Sequence, residues 1–392
     1  MDVDVVVIGG GIHGAGVAQA AAAAGHSVCV LEKTALAAGT SSRSSKLIHG
    51  GLRYLESAQF SLVRESLHER AVLLEIAPEL VRLQAFHVPV YKVTRRRPWQ
   101  LRIGLSLYAA LAGFADGAGF GTVPRARWDS LDGLVTDGLQ QVFRYHDGQT
   151  DDAALTRAVM ASAMGLGATL KMPACFVGAD FAREEVAVRY LAAGVESELT
   201  CRVLVNTAGP WAMGAANRMS PAIPGLPFDL VQGTHILLPG VLAQGIYYLE
   251  HQADGRAVFA MPRGRNTLVG TTERAFSGNP DDVAPTAEEI EYLLQLGRTH
   301  FHQYRNLQHA DVLEAWAGLR VLPAGPGAAF GRSRETVLQT DRPTQPRVIN
   351  VFGGKLTGYR ATASHVLQRI APSLPSRDAV ATTDKLRLSP VE

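Results

Sequence analysis

Two rhythms of apolar and polar positions run along the chain, and they divide it into stretches of different character. Val3 to Ile8 is a short, nearly all-apolar β-branched run, the pattern of a parallel strand buried on both faces. Gly9-Gly10-Gly11-Ile12-His13-Gly14 follows at once, then the helix-forming run Ala15 to Ala24, closed by Gly25. Ser27 to Leu31 resumes a strand with Glu32 at its tip, so this region predicts one βαβ unit of about 30 residues. The polar stretch Gly39 to Tyr54 has no clean period, and loops of that length in a compact domain are usually functional. Beyond it, Phe60, Val63, Leu67 and Leu74 keep helical spacing up to Pro78.

The middle of the chain reads differently. Val88 to Val93 and the apolar run Ile103 to Leu111 flank a basic cluster, Arg95-Arg96-Arg97. Asp151-Asp152 opens an amphipathic helix through Leu155, Val159 and Leu166. A strand pair separated by Gly194 comes next, then the strand Cys201 to Asn206 and the turn Thr207-Ala208-Gly209-Pro210. Alternation then predicts antiparallel strands at Leu230 to Leu238, Ile246 to Glu250, Ala257 to Met261 and Thr267 to Gly270. Thr286 with Glu289 forms a capping box before Ile290, Leu293 and Leu294. Val348 to Phe352 is a strand, Gly353-Gly354-Lys355-Leu356-Thr357 a turn, and a helix runs to about Ile370. The tail from Pro372 carries no core pattern.

Composition narrows the possibilities. A length of 392 residues favours two domains. Apolar residues at 47% and charged residues at 19% exclude global disorder. Net charge of +2 argues against a nucleic-acid partner. Cys29, Cys175 and Cys201 sit in strand-like stretches without a CxxC, which reads as reduced core residues of a cytoplasmic protein. Asp2 and Asp4 leave no basic leader segment, and no apolar run approaches the roughly 18 residues of a spanning helix. The histidines show no ligand spacing, so no metal is expected.

Gly9, Gly11 and Gly14 stand at GxGxxG spacing between a strand and a helix, with Glu32 at the tip of the next strand. The first glycine allows a tight turn, the second admits a pyrophosphate against the backbone, and the third lets the helix pack closely. The helix N-terminus offers N–H groups to the anion, and Glu32 can accept from ribose hydroxyls. Lys33 is the only base nearby, which favours FAD or NAD over NADP. Two late strands that also end in glycine turns, at Gly209 and at Gly353-Gly354, are suited to rejoin one elongated ligand, and this favours FAD. The predicted fold class is therefore α/β, α+β in part. A Rossmann-like FAD-binding domain would comprise 1–80, 150–212 and 321–371. A second, largely antiparallel-sheet substrate domain would comprise 81–149 and 213–320, and 372–392 would be an extended tail.

The runs VIGGGIHGAG (Val7 to Gly16), TSSRSSKLIHGGLRYLE (Thr40 to Glu56), VNTAGPW (Val205 to Trp211) and VFGGKLTGYR (Val351 to Arg360) resemble the FAD-dependent glycerol-3-phosphate dehydrogenase family. QGTH (Gln232 to His235), VGTTE (Val269 to Glu273) and GLR (Gly318 to Arg320) extend that resemblance from about residue 3 to 370. The Ser-rich loop into HGGLRYLE is specific to this family, whereas the first glycine motif is shared with the wider glycine-oxidase-like flavoenzymes. Two departures stand out. Family members usually carry a further C-terminal helical domain, before which this chain stops, and His13 stands where they commonly have Asn.

The resemblance implies a site. FAD contacts are expected from Ile12, His13, Lys33, Thr40, Ser41, Ser42, Ser45, Lys46, Leu47, His49, Gly50, Gly51, Phe176, Val177, Ala208, Gly209, Trp211 and Gly353 to Thr357, with Lys355, Leu356 and Thr357 at a helix N-terminus facing the flavin. Oxidation of an alcohol by a flavin needs fixed cations for an anionic substrate and a group to take the hydroxyl proton. Arg53, Arg320 and Arg334 are the candidate cations, because a guanidinium donates two parallel bonds to phosphate. His235 and His49 are the proton-handling candidates. Arg320 can also stabilise a developing alkoxide, while Tyr54 and Thr271 would line the pocket. The implied reaction oxidises sn-glycerol 3-phosphate to dihydroxyacetone phosphate, with electrons leaving to quinone or oxygen. The basic cluster beside Trp99 and Ile103 to Leu111 has the composition of a peripheral membrane contact. Two rivals remain open: a flavoenzyme acting on another small 2-hydroxy acid or amine, and a non-catalytic FAD-binding subunit.

Overall fold

The computed structural model describes residues 1–113, 119–182, 184–325 and 335–391. The first sheet has a parallel centre built from Thr169–Lys171, Val28–Leu31, Val3–Ile8, the second half of Val195–Asn206, and Val348–Phe352. Alternation decides what each face meets. Val5 and Val7 point to a helical layer with Ala18, Val159, Ile349 and Val366, while Val6 and Ile8 point to Leu31, Phe176, Val188 and Leu204. Both faces are thus apolar, which is why the opening run shows no polar period. The first half of Val195–Asn206 turns antiparallel to Val186–Ala192 and extends the sheet to Cys175–Asp180.

The helical layer comprises α1 (Ile12–Ala23), α2 (Phe60–Ile76), α4 (Asp152–Gly165) and α7 (Tyr359–Ile370); α3 (Pro98–Leu111), α5 (Ala212–Ala216) and α6 (Ala287–His300) lie elsewhere. Asp151 caps α4, its side chain accepting from Ala154 N, and the Thr286–Glu289 box caps α6. The second sheet joins Arg274–Phe276, Phe228–Pro239, Asn266–Gly270, Ala257–Arg263, Ile246–Glu250, Val81–Tyr91, Leu139–Thr150 and Leu47–Ile48, with Glu314–Pro323 also beside Phe228–Pro239. It is antiparallel except where Ile246–Glu250 runs parallel to Val81–Tyr91. One part of its core packs under α6, another under α2 and α3.

Several expectations need correction. Cys29 and Cys201 are buried, but Cys175 is exposed at the start of its strand, because the period of two turns its side chain outward. Phe60 stays on the surface at the first residue of α2. Arg96 is taken up within the protein and not offered to a membrane with the rest of the basic cluster: it is ion-paired with both Glu56 and Glu250. The tail folds back on the first sheet's helical layer. Val380 N donates to Ala23 O at 2.8 Å, Arg377 reaches Asp4 at 3.2 Å, and Leu388 is buried with its N donating to Ile76 O at 2.7 Å. A lone buried leucine in an irregular segment leaves no periodic trace. Among the described residues no helix is long and apolar enough to cross a membrane.

Candidate active site

The strands Val3–Ile8, Val195–Asn206 and Val348–Phe352 are parallel neighbours, so their C-terminal ends share one sheet edge. Gly9, Ala208 and Gly353 continue from those ends and line a single cavity of about 1030 Å³, at the top of the size range of ligand sites. One end of the cavity lies over the first sheet. The other is walled by residues of the second sheet, among them His235, Phe259 and Arg320.

The glycine turn is a cradle. Gly9 has φ +100°, and a Cβ there would lie 2.9 Å from Thr207 O. A Cβ on Gly14 would lie 1.9 Å from Gly9 O, so only glycine lets α1 sit this close to the strand. Gly14 therefore acts by packing and does not line the cavity. α1 has no acidic residue in its first turn, leaving its positive end to an anion. Ile12 N meets Ser41 Oγ at 2.9 Å. Glu32 accepts from Gly10 N at 2.7 Å, from Thr34 N at 2.8 Å and from Thr34 Oγ1 at 3.2 Å; a carboxylate keeps lone-pair capacity beyond those three bonds for a ligand hydroxyl. At the same end Lys33 Nζ donates to Asp281 Oδ1 at 2.7 Å and lies 4.1 Å from the Trp211 ring, whose Nε1 donates to that oxygen at 3.1 Å.

Most of the expected cofactor residues line this cavity, including Lys33, Thr40, Ser41, Ser45, Leu47, His49, Gly51, Phe176, Gly209, Trp211 and the run Gly353 to Thr357. Val177, Ser42, Lys46 and Gly50 do not. Val177 follows Phe176 at a bulge and alternates away from it. Ser42 Oγ turns to Gly39 O at 3.2 Å. Lys46 is buried in an ion pair with Asp152 at the start of α4, since a buried ammonium requires a counter-charge. Gly50 N donates to Tyr108 Oη, behind the lining. Lys355 to Thr357 form the turn ahead of α7, which begins only at Tyr359. Arg334 lies outside the described residues.

Cations gather at the second-sheet end. Arg53 stacks 5.1 Å from the Tyr54 ring, and Lys355 Nζ lies 4.4 Å from the same ring while donating to Ser66 Oγ at 3.2 Å. Arg320 donates from Nη2 to Thr271 Oγ1 at 3.2 Å and from Nη1 to Glu273 Oε1 at 3.3 Å. Arg256 pairs with the other Glu273 oxygen. Arg256 and Glu273 both line the cavity, and neither stands out in the sequence as a site residue. Arg256 comes just ahead of a strand, and only the sheet register carries it beside Arg320. Glu273 lies at the end of the VGTTE run, where its acidity is the available signal.

Three histidines reach the cavity. His235 Nε2 lies 3.0 Å from Ser45 Oγ, and its Nδ1 is buried without a partner. Burial, then the charges of Arg320, Lys46 and Arg263, push its pKa down to about 3, so the imidazole is neutral near pH 7. His13 is lowered to about 4 by burial, against a bond to the Lys355 backbone, and its Nε2 has no partner beside Gly354. His49 donates its backbone N–H to Thr357 Oγ1 at 3.1 Å, with its ring 6.3 Å from Phe259. Among the described residues no cluster suits a metal ion.

The shape fits a long dinucleotide: a glycine cradle, a helix N-terminus with no acidic residue in its first turn, an acidic acceptor at the next strand tip, and room continuing to a second sheet. The family model described as FAD dependent oxidoreductase matches residues 4–366. The chain belongs to that family. Its cofactor is FAD, and it is an FAD-dependent oxidoreductase. Its relatives include a glycerol-3-phosphate dehydrogenase of Pseudomonas aeruginosa, 37% identical over 385 residues, covering 94% of this chain and 72% of the relative. A D-erythritol 1-phosphate dehydrogenase of Brucella abortus is 37% identical over 378 residues, covering 95% of this chain and 74% of the relative. The solved glycerol-3-phosphate dehydrogenase of Bacillus halodurans, complexed with FAD, superposes with a TM-score of 0.77 at 27% identity, covering 99% of this chain and 68% of that one. The resemblance to glycerol-3-phosphate dehydrogenases and the α/β flavin fold expected from the sequence are both borne out.

Proposed function

We propose that this flavoenzyme oxidises the C2 hydroxyl of sn-glycerol 3-phosphate, giving dihydroxyacetone phosphate. The observation that carries the reading is the cationic end of the cavity, where Arg53, Arg256 and Arg320 line the same space as the glycine cradle. The names and identities of the relatives support it. Residues 1–80, 150–212 and 321–371 would carry the cofactor, and 81–149 with 213–320 the substrate.

Bound FAD supplies the two-electron acceptor for hydride from an alcohol carbon. The chain's residues supply the rest. Arg53 and Arg320 hold the phosphate, with Glu273 orienting the guanidinium of Arg320. Neutral His235, its ring held by Ser45, is placed to accept a hydrogen bond from the C2 hydroxyl. Thr271 and Tyr54 border the substrate, and His49 joins the loop to the Thr357 turn. A four-carbon polyol phosphate is the second reading. It is favoured by the Brucella abortus relative and by the Glu273 carboxylate in the lining, which can accept from additional hydroxyls.

Turnover with an artificial electron acceptor and a substrate panel tests this. Glycerol 3-phosphate should yield dihydroxyacetone phosphate, and unphosphorylated glycerol should be inert. A preference for D-erythritol 1-phosphate would move the assignment to the second reading, and activity on neither would remove both. The exposed Trp99 and Ile103 of α3, beside Arg95 and Arg97, support peripheral contact with the anionic inner face of the cell membrane. Electrons would leave there to quinone, oxygen being the other acceptor. Failure to float with anionic liposomes at low salt would end the membrane proposal.

A further inference from the structure

The loop that carries His49, Gly51, Arg53 and Tyr54 to the cavity begins at a two-residue strand, Leu47–Ile48, and continues into the 3₁₀ segment Leu52–Ser57. Its shape is held from behind by a buried chain of hydrogen bonds. Gly50 N donates to Tyr108 Oη at 2.8 Å, and Tyr108 Oη donates to Asp147 Oδ2 at 2.6 Å. Arg70 Nη1 donates to Asp147 Oδ1 at 2.7 Å and to His146 O at 3.2 Å. Tyr108, Asp147 and Arg70 come from α3, the strand Leu139–Thr150 and α2, all are buried, and none lines the cavity.

The chemistry fixes the direction of this chain. A phenol has one proton. Given to the Asp147 carboxylate, it leaves the oxygen to accept from Gly50. The contact is close, for a Cβ on Gly50 would lie 2.5 Å from Tyr108 Oη and 2.6 Å from Leu67. One residue earlier, His49 N is held by Thr357 Oγ1. Two successive amides are thus clamped from opposite sides, immediately before the residues that meet substrate.

We propose that Tyr108 is a positioning residue for substrate binding: through Gly50 it sets the path of the loop that aims Arg53 and Tyr54. The inference rests on the functional reading above, in which Arg53 holds a phosphate remote from the reacting carbon. Loss of such a contact weakens ground state and transition state alike, so it raises KM and leaves kcat nearly unchanged.

The test compares wild-type holoenzyme with Tyr108→Phe and Tyr304→Phe. Tyr304 donates to Thr267 Oγ1 at 2.6 Å, is equally buried, and lies away from the cavity. For each protein one measures melting temperature, FAD affinity by flavin fluorescence, and kcat and KM for glycerol 3-phosphate. Both variants should lose similar thermal stability. Only Tyr108→Phe should raise KM, by about tenfold for one broken buried bond, with kcat within about twofold when both are measured at saturating FAD, since His49 and Gly51 of the same loop line the cofactor cavity. An unchanged KM, an equal rise in Tyr304→Phe, or a loss confined to kcat or FAD affinity overturns the proposal. If Tyr108→Phe does not fold, Asp147→Asn carries the test. Its amide can donate to the phenol and compete with Gly50, so KM must rise in the same sense, and an unchanged KM overturns the proposal. Failure of the functional reading shows instead in the wild type, which would not turn over glycerol 3-phosphate.

Discussion

At the residue scale the cavity is governed by a few charges and by who holds them. Arg320 shares the Glu273 carboxylate with Arg256, which orients it without a water-exposed partner. Arg320→Ala is expected to lower kcat/KM by roughly a hundredfold or more, the cost of a lost charge-assisted contact, with the flavin spectrum retained. Steady-state kinetics on the FAD-loaded variant would check this, and an unchanged kcat/KM would remove Arg320 from the site. Sequence motifs made the place of Arg53, Arg320 and His235 in the cavity lining legible, because they sit in short distinctive runs. They did not reveal Lys46 as the counter-ion of Asp152, because the pairing spans two distant elements. Nor did they reveal Arg256, whose place depends on the sheet register.

At the element scale, legibility followed locality. The glycine turn, the Thr286–Glu289 box and the strand–turn–helix end of the chain are each written within a few neighbouring residues, and each is present. α7 starting only at Tyr359 shows the limit, since a helix boundary is set by capping geometry more than by composition. The docked tail shows it again. Leu388 sits among Ile76, Leu73 and the rest of the helical layer, so Leu388→Ala should cost about 2–4 kcal/mol of stability, as for a buried leucine. Denaturant unfolding would register this as a lower midpoint with an unchanged slope. An unchanged midpoint would mean that the tail is not part of the cooperative unit.

At the scale of the whole molecule, burial couples the core to pH. His87, His235 and His300 are buried, and burial lowers them to about 4, 3 and 4. Unfolded histidine takes up a proton near 6.5. Between that pH and about 4 the unfolded chain therefore binds more protons than the folded one, and stability falls as pH falls. Three such groups give a slope of up to about 4 kcal/mol per pH unit. The melting temperature should be nearly level above pH 7.5 and decline steeply from pH 6.5 to 5. A flat profile through that window would mean that these imidazoles are hydrated.

The same scale holds the central claim, that one cavity joins the FAD cradle of the first sheet to a cationic substrate end on the second. An anaerobic titration of the oxidised holoenzyme, followed through its flavin absorbance, tests it most directly. Glycerol 3-phosphate should bleach the flavin with loss of the oxidised bands, and glycerol should leave them intact. A flavin that stays oxidised with glycerol 3-phosphate and with the four-carbon polyol phosphate alike would contradict the account.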